Sequence, residues 1–522
     1  MKSQNDVQMY AKKTKDNLSP EQGILQDGGA IAGKPSAHEV VERIAGEAAK
    51  KFRFRGGRIP AMTLCEKSCI FYPIESRDVS AWLTEAILET GLLPRSDMKQ
   101  IIVDILTAHA LKASQEEPAH RIFQGKHALY YKISNNSIVR ISKKGVIMNS
   151  FFPGVSFWRS SLEADQCLPD FSSSHKELLP ILKQAFHIKK DYRYAFAAAL
   201  LGFFVPKLQT PILVLSGEKG TAKTTTSKQI LELVNPSIAQ AVTALPNGRD
   251  ALITQLSNSY IAAFDNVAFP LKADTSNLLC LVATHAAISK RSLYSTNLQA
   301  VYDLKTKIVC NGIDEIAAKA DLAERCCVIY LNQIPDADRR CYSEVEAKFN
   351  ELKPRILGSI FNSLVEVFKD TTDFSDVAKP RMADFADFGL HVIHVLGEKP
   401  EKFLQQYTSG IKEQLSDAEA RSPIVLAVDR LLFGRQGYLL RETPTVMAKM
   451  LNAVAKRNKI ALVPQTASSI TKTLKKNKHA LESNGLRLTL PEGRTNTRWI
   501  QLEKVNQEEC SAEKPSINVI EG

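Results

Sequence analysis

Lys223 and Thr224 close a glycine-bearing turn, Gly217-Glu-Lys-Gly-Thr-Ala-Lys-Thr-Thr, which follows an apolar run and precedes a segment of helical pattern. The spacing is GxxxxGK[ST], and the chemistry it supports is phosphate binding. Gly217 ends the strand and Gly220 lets the backbone wrap. The nucleotide-binding set is then Gly217, Glu218, Lys219, Gly220, Thr221, Ala222, Lys223, Thr224 and Thr225, with backbone N–H groups aimed at the β-phosphate. Lys223 neutralises the β/γ oxygens and the Thr224 hydroxyl ligates Mg²⁺. Ala222 stands where a second glycine is expected, and its methyl group is tolerable there if the residue keeps a negative φ.

A second apolar strand, residues 260–264, ends in Asp265, which is placed to hold the Mg²⁺ shell in a Walker B arrangement. Asn266 occupies the position where many such enzymes carry a glutamate base. An amide orients water without accepting its proton, so either the base lies elsewhere, with Glu218 and Asp314 as candidates, or turnover is slow. A third strand, residues 305–312, delivers Asn311 at its C-terminal end, where it positions the attacking water; the alternative is a turn residue. Arg325 sits at a helix-to-strand junction, where it reaches a neighbouring subunit's γ-phosphate, or else forms a surface ion pair. Between Asp265 and Asn311, Lys290, Arg291 and Tyr294 fit a hairpin whose cations track phosphates and whose ring packs on sugar or base; a solvated basic turn is the rival.

A chain of 522 residues exceeds one hydrophobic core, so two to four domains are expected. Its 44% hydrophobic and 24% charged residues are those of a soluble globular protein, and its net charge of +12 fits nucleic acid as a partner. No apolar run reaches the roughly 18 residues of a membrane span, and no signal-peptide pattern opens the chain, so the expected compartment is the cytoplasm. Nine cysteines without pairing rhythm argue against a disulfide framework, and the lone Cys65/Cys69 pair argues against zinc.

These elements sit in a chain that reads, in order, as a flexible lead (1–36), a helical module (37–120), a small β-rich module with antiparallel strands near 128–149 (121–174), an ATPase core (175–345) and a helical lid (346–421). A last folded unit (422–505) and a polar tail (506–522) follow. In the lid, Arg355 and Arg381 either contact nucleotide or form salt bridges. Two helices and then two strands in the last unit suggest a winged helix. Ser469, Lys472, Lys475 and Lys476 would lie on its recognition helix and Arg494 on its wing.

Taken together, Gly217-Glu-Lys-Gly-Thr-Ala-Lys-Thr-Thr-Thr, Phe264-Asp-Asn, Cys310-Asn-Gly-Ile, Asp321-Leu-Ala-Glu-Arg, Pro354-Arg-Ile-Leu-Gly and Arg381-Met-Ala-Asp-Phe-Ala resemble the ATPases of bacterial phages, plasmids and integrated islands. These are related to the AAA+ replicative helicases of superfamily three and to the helicase halves of phage primase-helicases. The resemblance covers about residues 120–500, and the Ala-Lys-Thr and Asp-Asn variants look usual for that family. It implies an α/β protein with a P-loop AAA+ core, an N-terminal α+β region and a C-terminal winged helix. It further implies a hexameric ring that uses ATP and Mg²⁺ to move on DNA during replication of a mobile element. No primase centre is visible, so a separate primase is an expected partner. Two rivals are carried forward: a regulatory or defence ATPase that never unwinds DNA, and an origin-binding protein with a decayed nucleotide site.

Overall fold

The computed structural model describes residues 35–160, 162–238, 242–267, 271–291, 299–312, 320–420, 422–433, 439–458, 460, 464, 466–491 and 499–505. Nearly all of the expected lead and the whole polar tail lie outside these residues, as do Tyr294, Asp314 and Arg494. Two compact units partition the chain, one holding residues up to 51 together with 75–109, the other holding 52–74 and everything from 110 onward.

The smaller unit is helical. Helix α1 (Ala37–Lys51) buries Val40, Val41, Ile44, Ala45 and Ala48, a stripe at three- and four-residue spacing. Helix α2 (Arg77–Leu88) starts where the Ser76 side chain accepts from the Val79 N–H, and it buries Val79, Leu83 and Ile87. Lys99 on α3 (Ser96–Lys112) donates to Thr84 of α2 at 2.6 Å.

In the larger unit the stretch expected to be wholly helical also carries three short strands: β1 (Phe54–Arg55), β2 (Ala61–Met62) and β3 (Ile70–Pro73). They form one sheet with β8 (Phe157–Trp158), which pairs parallel to β3. That long-range pairing has no local signature in the sequence. The expected antiparallel module is a four-stranded meander of β4 (Ile122–Gln124), β5 (Ala128–Ser134), β6 (Ser137–Ser142) and β7 (Gly145–Asn149).

Five parallel strands form the central sheet, in the order β10 (Val242–Thr243), β11 (Ile261–Phe264), β14 (Lys307–Asn311), β9 (Ile212–Ser216), β15 (Cys326–Tyr330). Strands β11 and β14 are buried at every position, and β9 at all but its last. Their apolar runs, in β14 bracketed by the buried polar residues Lys307 and Asn311, are those of a sheet covered by helices on both faces. Before the sheet come α4 (Leu178–Ala185) and α5 (Arg193–Gly202), which is buried from Ala195 onward. Within and after it come α6 (Lys223–Val234), α7 (Arg249–Ser257), α8 (Ala273–Ala283) and the short α9 (Ala320–Ala323). Strands β12 (Ala287–Arg291) and β13 (Gln299–Asp303) form a separate antiparallel hairpin.

Three long helices follow, α10 (Tyr342–Lys369), α11 (Ala383–Val395) and α12 (Pro400–Ala420), and they share one continuous core with the sheet and the meander. Arg121, 1% exposed, ties the meander to the end of α6. Its guanidinium donates to the carbonyls of Lys132, Ala164 and Pro236 and to the Asn235 side chain. A buried guanidinium is tolerated because its donors are satisfied.

The last folded segment has its own core of Ile424, Val428, Met447, Leu451, Ile470, Leu474, Leu486 and Leu502, among others. It contains α13 (Pro423–Leu431), α14 (Pro444–Arg457), α15 (Ala467–Lys476) and α16 (Lys478–Ser483). Its sheet has three antiparallel strands, with β18 (Ile500–Lys504) between β16 (Leu439–Glu442) and β17 (Leu486–Thr489). Overall the chain is a mixed α/β protein organised on a parallel sheet. Among the described residues no helix is long and apolar enough to cross a membrane.

Candidate functional site

Residues 217–222 run from the C-terminal end of β9 into the first turn of α6. Gly220 sits at φ 88°, a left-handed conformation that a side chain resists. Ala222 departs from expectation: its φ is 61°, not negative, so its methyl group is held in the left-handed region at a cost of about 1–2 kcal/mol. The turn must reverse the chain into α6, and packing around it overrides the preference of alanine. Thr221, 2% exposed, helps by donating its hydroxyl to the Glu218 carbonyl at 3.0 Å. Helix α6 has no side-chain cap, so its first-turn N–H groups face the loop without a protein acceptor from the cap residue.

The Lys223 ammonium folds onto the loop, donating to the carbonyls of Gly217 at 2.7 Å and Glu218 at 2.8 Å. Burial holds it below the usual lysine range, with Asp265 opposing that shift. Thr224 donates its hydroxyl to Asp265 Oδ1 at 2.9 Å, which joins the start of α6 to the end of β11. Two hard oxygens so placed are a fit for Mg²⁺, which binds one or two protein oxygens and completes its shell with phosphate and water. Glu218 and Lys219 are exposed on the loop, and Thr225 is half-buried.

Asn266 has φ 51°, a conformation asparagine tolerates, and its side chain is exposed. Its backbone N–H donates to Asn311 Oδ1 at 3.0 Å. Asn311 is 2% exposed, and its Nδ2 donates to Ser227 Oγ at 2.9 Å. Both ends of the Asn311 amide are therefore engaged by protein, and it acts as a strut between β14, the end of β11 and α6. The sequence reading missed Ser227; its only signal is a position one helical turn beyond Thr224.

Arg325 lies elsewhere. Cys326, the next residue, pairs with Ile212 at the start of β9, whereas the loop follows Ser216 at its end. Five residues of strand, about 16 Å, separate Arg325 from its own chain's loop. Its Nη1 donates to the Asp321 carbonyl oxygen at 2.6 Å and to the Asp321 carboxylate at 2.5 Å, and its buried Nε has no hydrogen-bond partner among the described residues. Arg381 joins the cluster, with Nη1 2.8 Å from Glu324 and Nη2 3.4 Å from Asp321, while Arg355 pairs with Glu177 at 2.8 Å. Both lid arginines are thus in ion pairs.

The hairpin expected between Asp265 and Asn311 is present as β12 and β13. Lys290 and Arg291 are paired with Ala300 and Gln299 at its distal end. Tyr294 falls outside the described residues. On α15, Ser469, Lys472, Lys475 and Lys476 are all exposed, on the face opposite buried Ile470 and Leu474. Arg494 is outside the described residues.

Comparison with known proteins places part of this arrangement. Among curated proteins none matches the chain by sequence. Two solved structures, the A form apo and the apo structures of the NrS-1 C terminal region, are each 11% identical. They cover 89% of this chain and 98% of theirs, with TM-scores of 0.37 and 0.38. Residues 185–406, from the end of α4 to the middle of α12, match the family described as the actinomycete integrative conjugative element replication protein. The segment carrying the loop at residues 217–222, the Asp265 strand, Asn311 and Arg325 is therefore similar to a replication protein of mobile elements.

Proposed function

We propose that this chain is an ATP-driven DNA helicase or translocase that acts in replication of a mobile genetic element. The observation that carries the reading is the 2.9 Å contact between Thr224 and Asp265 beneath an uncapped helix start, with the Lys223 ammonium on the same loop. Position in the sheet supports it: β9 is flanked by β14 and β15, so the loop lies at the C-terminal ends of parallel strands where the order reverses, the usual ligand crevice of such sheets.

On this reading Thr224 and Asp265 hold Mg²⁺, the α6 amides and Lys223 hold the phosphates, and the bound ion supplies charge neutralisation on the phosphate oxygens. Asn311 keeps the two metal-binding residues in register. Arg325, too far from its own loop, acts on a second copy in a ring, for which a hexamer is the expected size. The exposed basic face of α15 and the β12–β13 hairpin provide cations for DNA, α15 in the manner of a winged helix, and a separate primase remains a fitting partner.

The test is ATP hydrolysis with and without single-stranded DNA, read together with particle mass and strand displacement on a fork. DNA-stimulated hydrolysis by a ring-sized particle, abolished by Lys223→Ala, is the expected result. Absence of hydrolysis in the native chain would reject the assignment. Stimulation without displacement would instead select a regulatory or defence switch, a reading that the amide of Asn266 favours because it cannot take a proton from water.

A further inference from the structure

The loop opens into a cleft of about 660 Å³ that the sequence reading did not anticipate. Gly220, Ala222 and Thr225 line it, whereas Thr224 and Asp265 do not. Because these residues belong to the loop and helix start that also carry Thr224, the cleft adjoins the Thr224–Asp265 pair. The α10 wall combines Phe349 and Leu352, 4% and 8% exposed, and half-buried Val345 with the charged side chains of Glu344 and Lys348. Its volume lies within the range of small-molecule sites, roughly 300–1,000 Å³.

Arg339 guards the junction. A Cβ built on Gly220 would meet Arg339 Nη2 at 2.8 Å, which places that guanidinium directly against the loop backbone at this glycine. Asp336 holds it there at 3.0 Å. A planar cation over a phosphate-binding turn is placed for paired hydrogen bonds to phosphate oxygens.

We infer that this cleft takes the nucleoside half of a nucleoside triphosphate, and that Arg339 pairs with the phosphates of the nucleotide bound to its own chain. This rests on the nucleotide-binding reading above and adds to it the cleft and a cation from the same chain, distinct from Arg325.

The test is calorimetric titration of the full chain with Mg·ATP and with Mg·tripolyphosphate, which lacks the nucleoside. The native chain binds both. Arg339→Ala weakens both by about tenfold or more, the loss expected for a charge-assisted hydrogen bond. Val345→Trp, which fills the cleft edge, weakens ATP about tenfold and leaves tripolyphosphate unchanged. Native-like affinities for Arg339→Ala, or loss of ATP binding alone, would overturn the phosphate role of Arg339. Native-like ATP affinity in Val345→Trp would overturn the cleft. If the native chain binds neither ligand, the nucleotide-binding reading itself falls, and this inference with it.

Discussion

Asn311 Nδ2 lies 2.9 Å from Ser227 Oγ, joining the end of β14 to α6 inside the protein. The other end of the same amide accepts the Asn266 N–H, so one buried side chain sets the spacing between the lysine-bearing helix and the aspartate-bearing strand. Asn311→Ala removes both bonds, costing about 1–3 kcal/mol. A thermal midpoint lower by a few degrees and ATP hydrolysis reduced at least tenfold are the expected readouts. Native values for both would show the strut to be dispensable.

Ala222 offers a cleaner energetic test. Its φ of 61° costs a residue with a Cβ about 1–2 kcal/mol, while glycine adds about 0.4–1 kcal/mol of unfolded-chain entropy. Ala222→Gly is therefore neutral to stabilising by about 1 kcal/mol in denaturant unfolding. A clear destabilisation would mean that the methyl group makes contacts outweighing the strain.

Arg325 is held by Asp321 and lies at the opposite end of the paired β9 and β15 strands from its own loop. Arg325→Ala should abolish hydrolysis and leave nucleotide affinity unchanged, as measured by titration with a fluorescent ATP analogue. Mixing it with Lys223→Ala should restore part of the rate, since each variant retains the half-site that the other lacks. Normal hydrolysis by Arg325→Ala alone would refute action between subunits.

Lys307 carries a pH signature. It is 1% exposed on β14, donates to the Leu208 carbonyl at 2.6 Å, and is pushed down to about 7 by burial. Between pH 7 and the normal lysine range near 10.4 the unfolded chain binds more protons than the folded one, so stability rises with pH across that window. Below pH 7 both states are protonated and the penalty is constant. Lys307→Met should remove this rise, seen as a flatter series of urea midpoints from pH 7 to 10. Equal slopes for both proteins would show that Lys307 does not titrate there.

Much of the fold is legible locally. Short, largely apolar segments between the polar turns at Asn135-Asn136 and Lys143-Lys144-Gly145 mark β5 and β6, and apolar runs mark β9, β11 and β14. The strands at 54–73 were not legible, because β1 and β2 have only two residues each and carry no periodicity, while β3 pairs with Phe157 and Trp158 from far along the chain. In the candidate site, Lys223, Thr224 and Asp265 are named by motif spacing, whereas Ser227 and Arg339 have no motif and enter only through contact.

The sequence by itself determined which groups are present and their order: a glycine-bearing turn before a lysine and threonine, an apolar strand ending in aspartate, and a later asparagine and arginine. Local chain geometry suffices for that, since turns and strands are specified by neighbouring residues. Only the tertiary structure decided that Thr224 meets Asp265, that Asn311 is a buried strut, that Arg325 lies at the opposite strand end from its own loop, and that Ala222 accepts a left-handed backbone. Each of these depends on the register of parallel strands and the packing of helices over them, which the residues on either side of a motif do not encode.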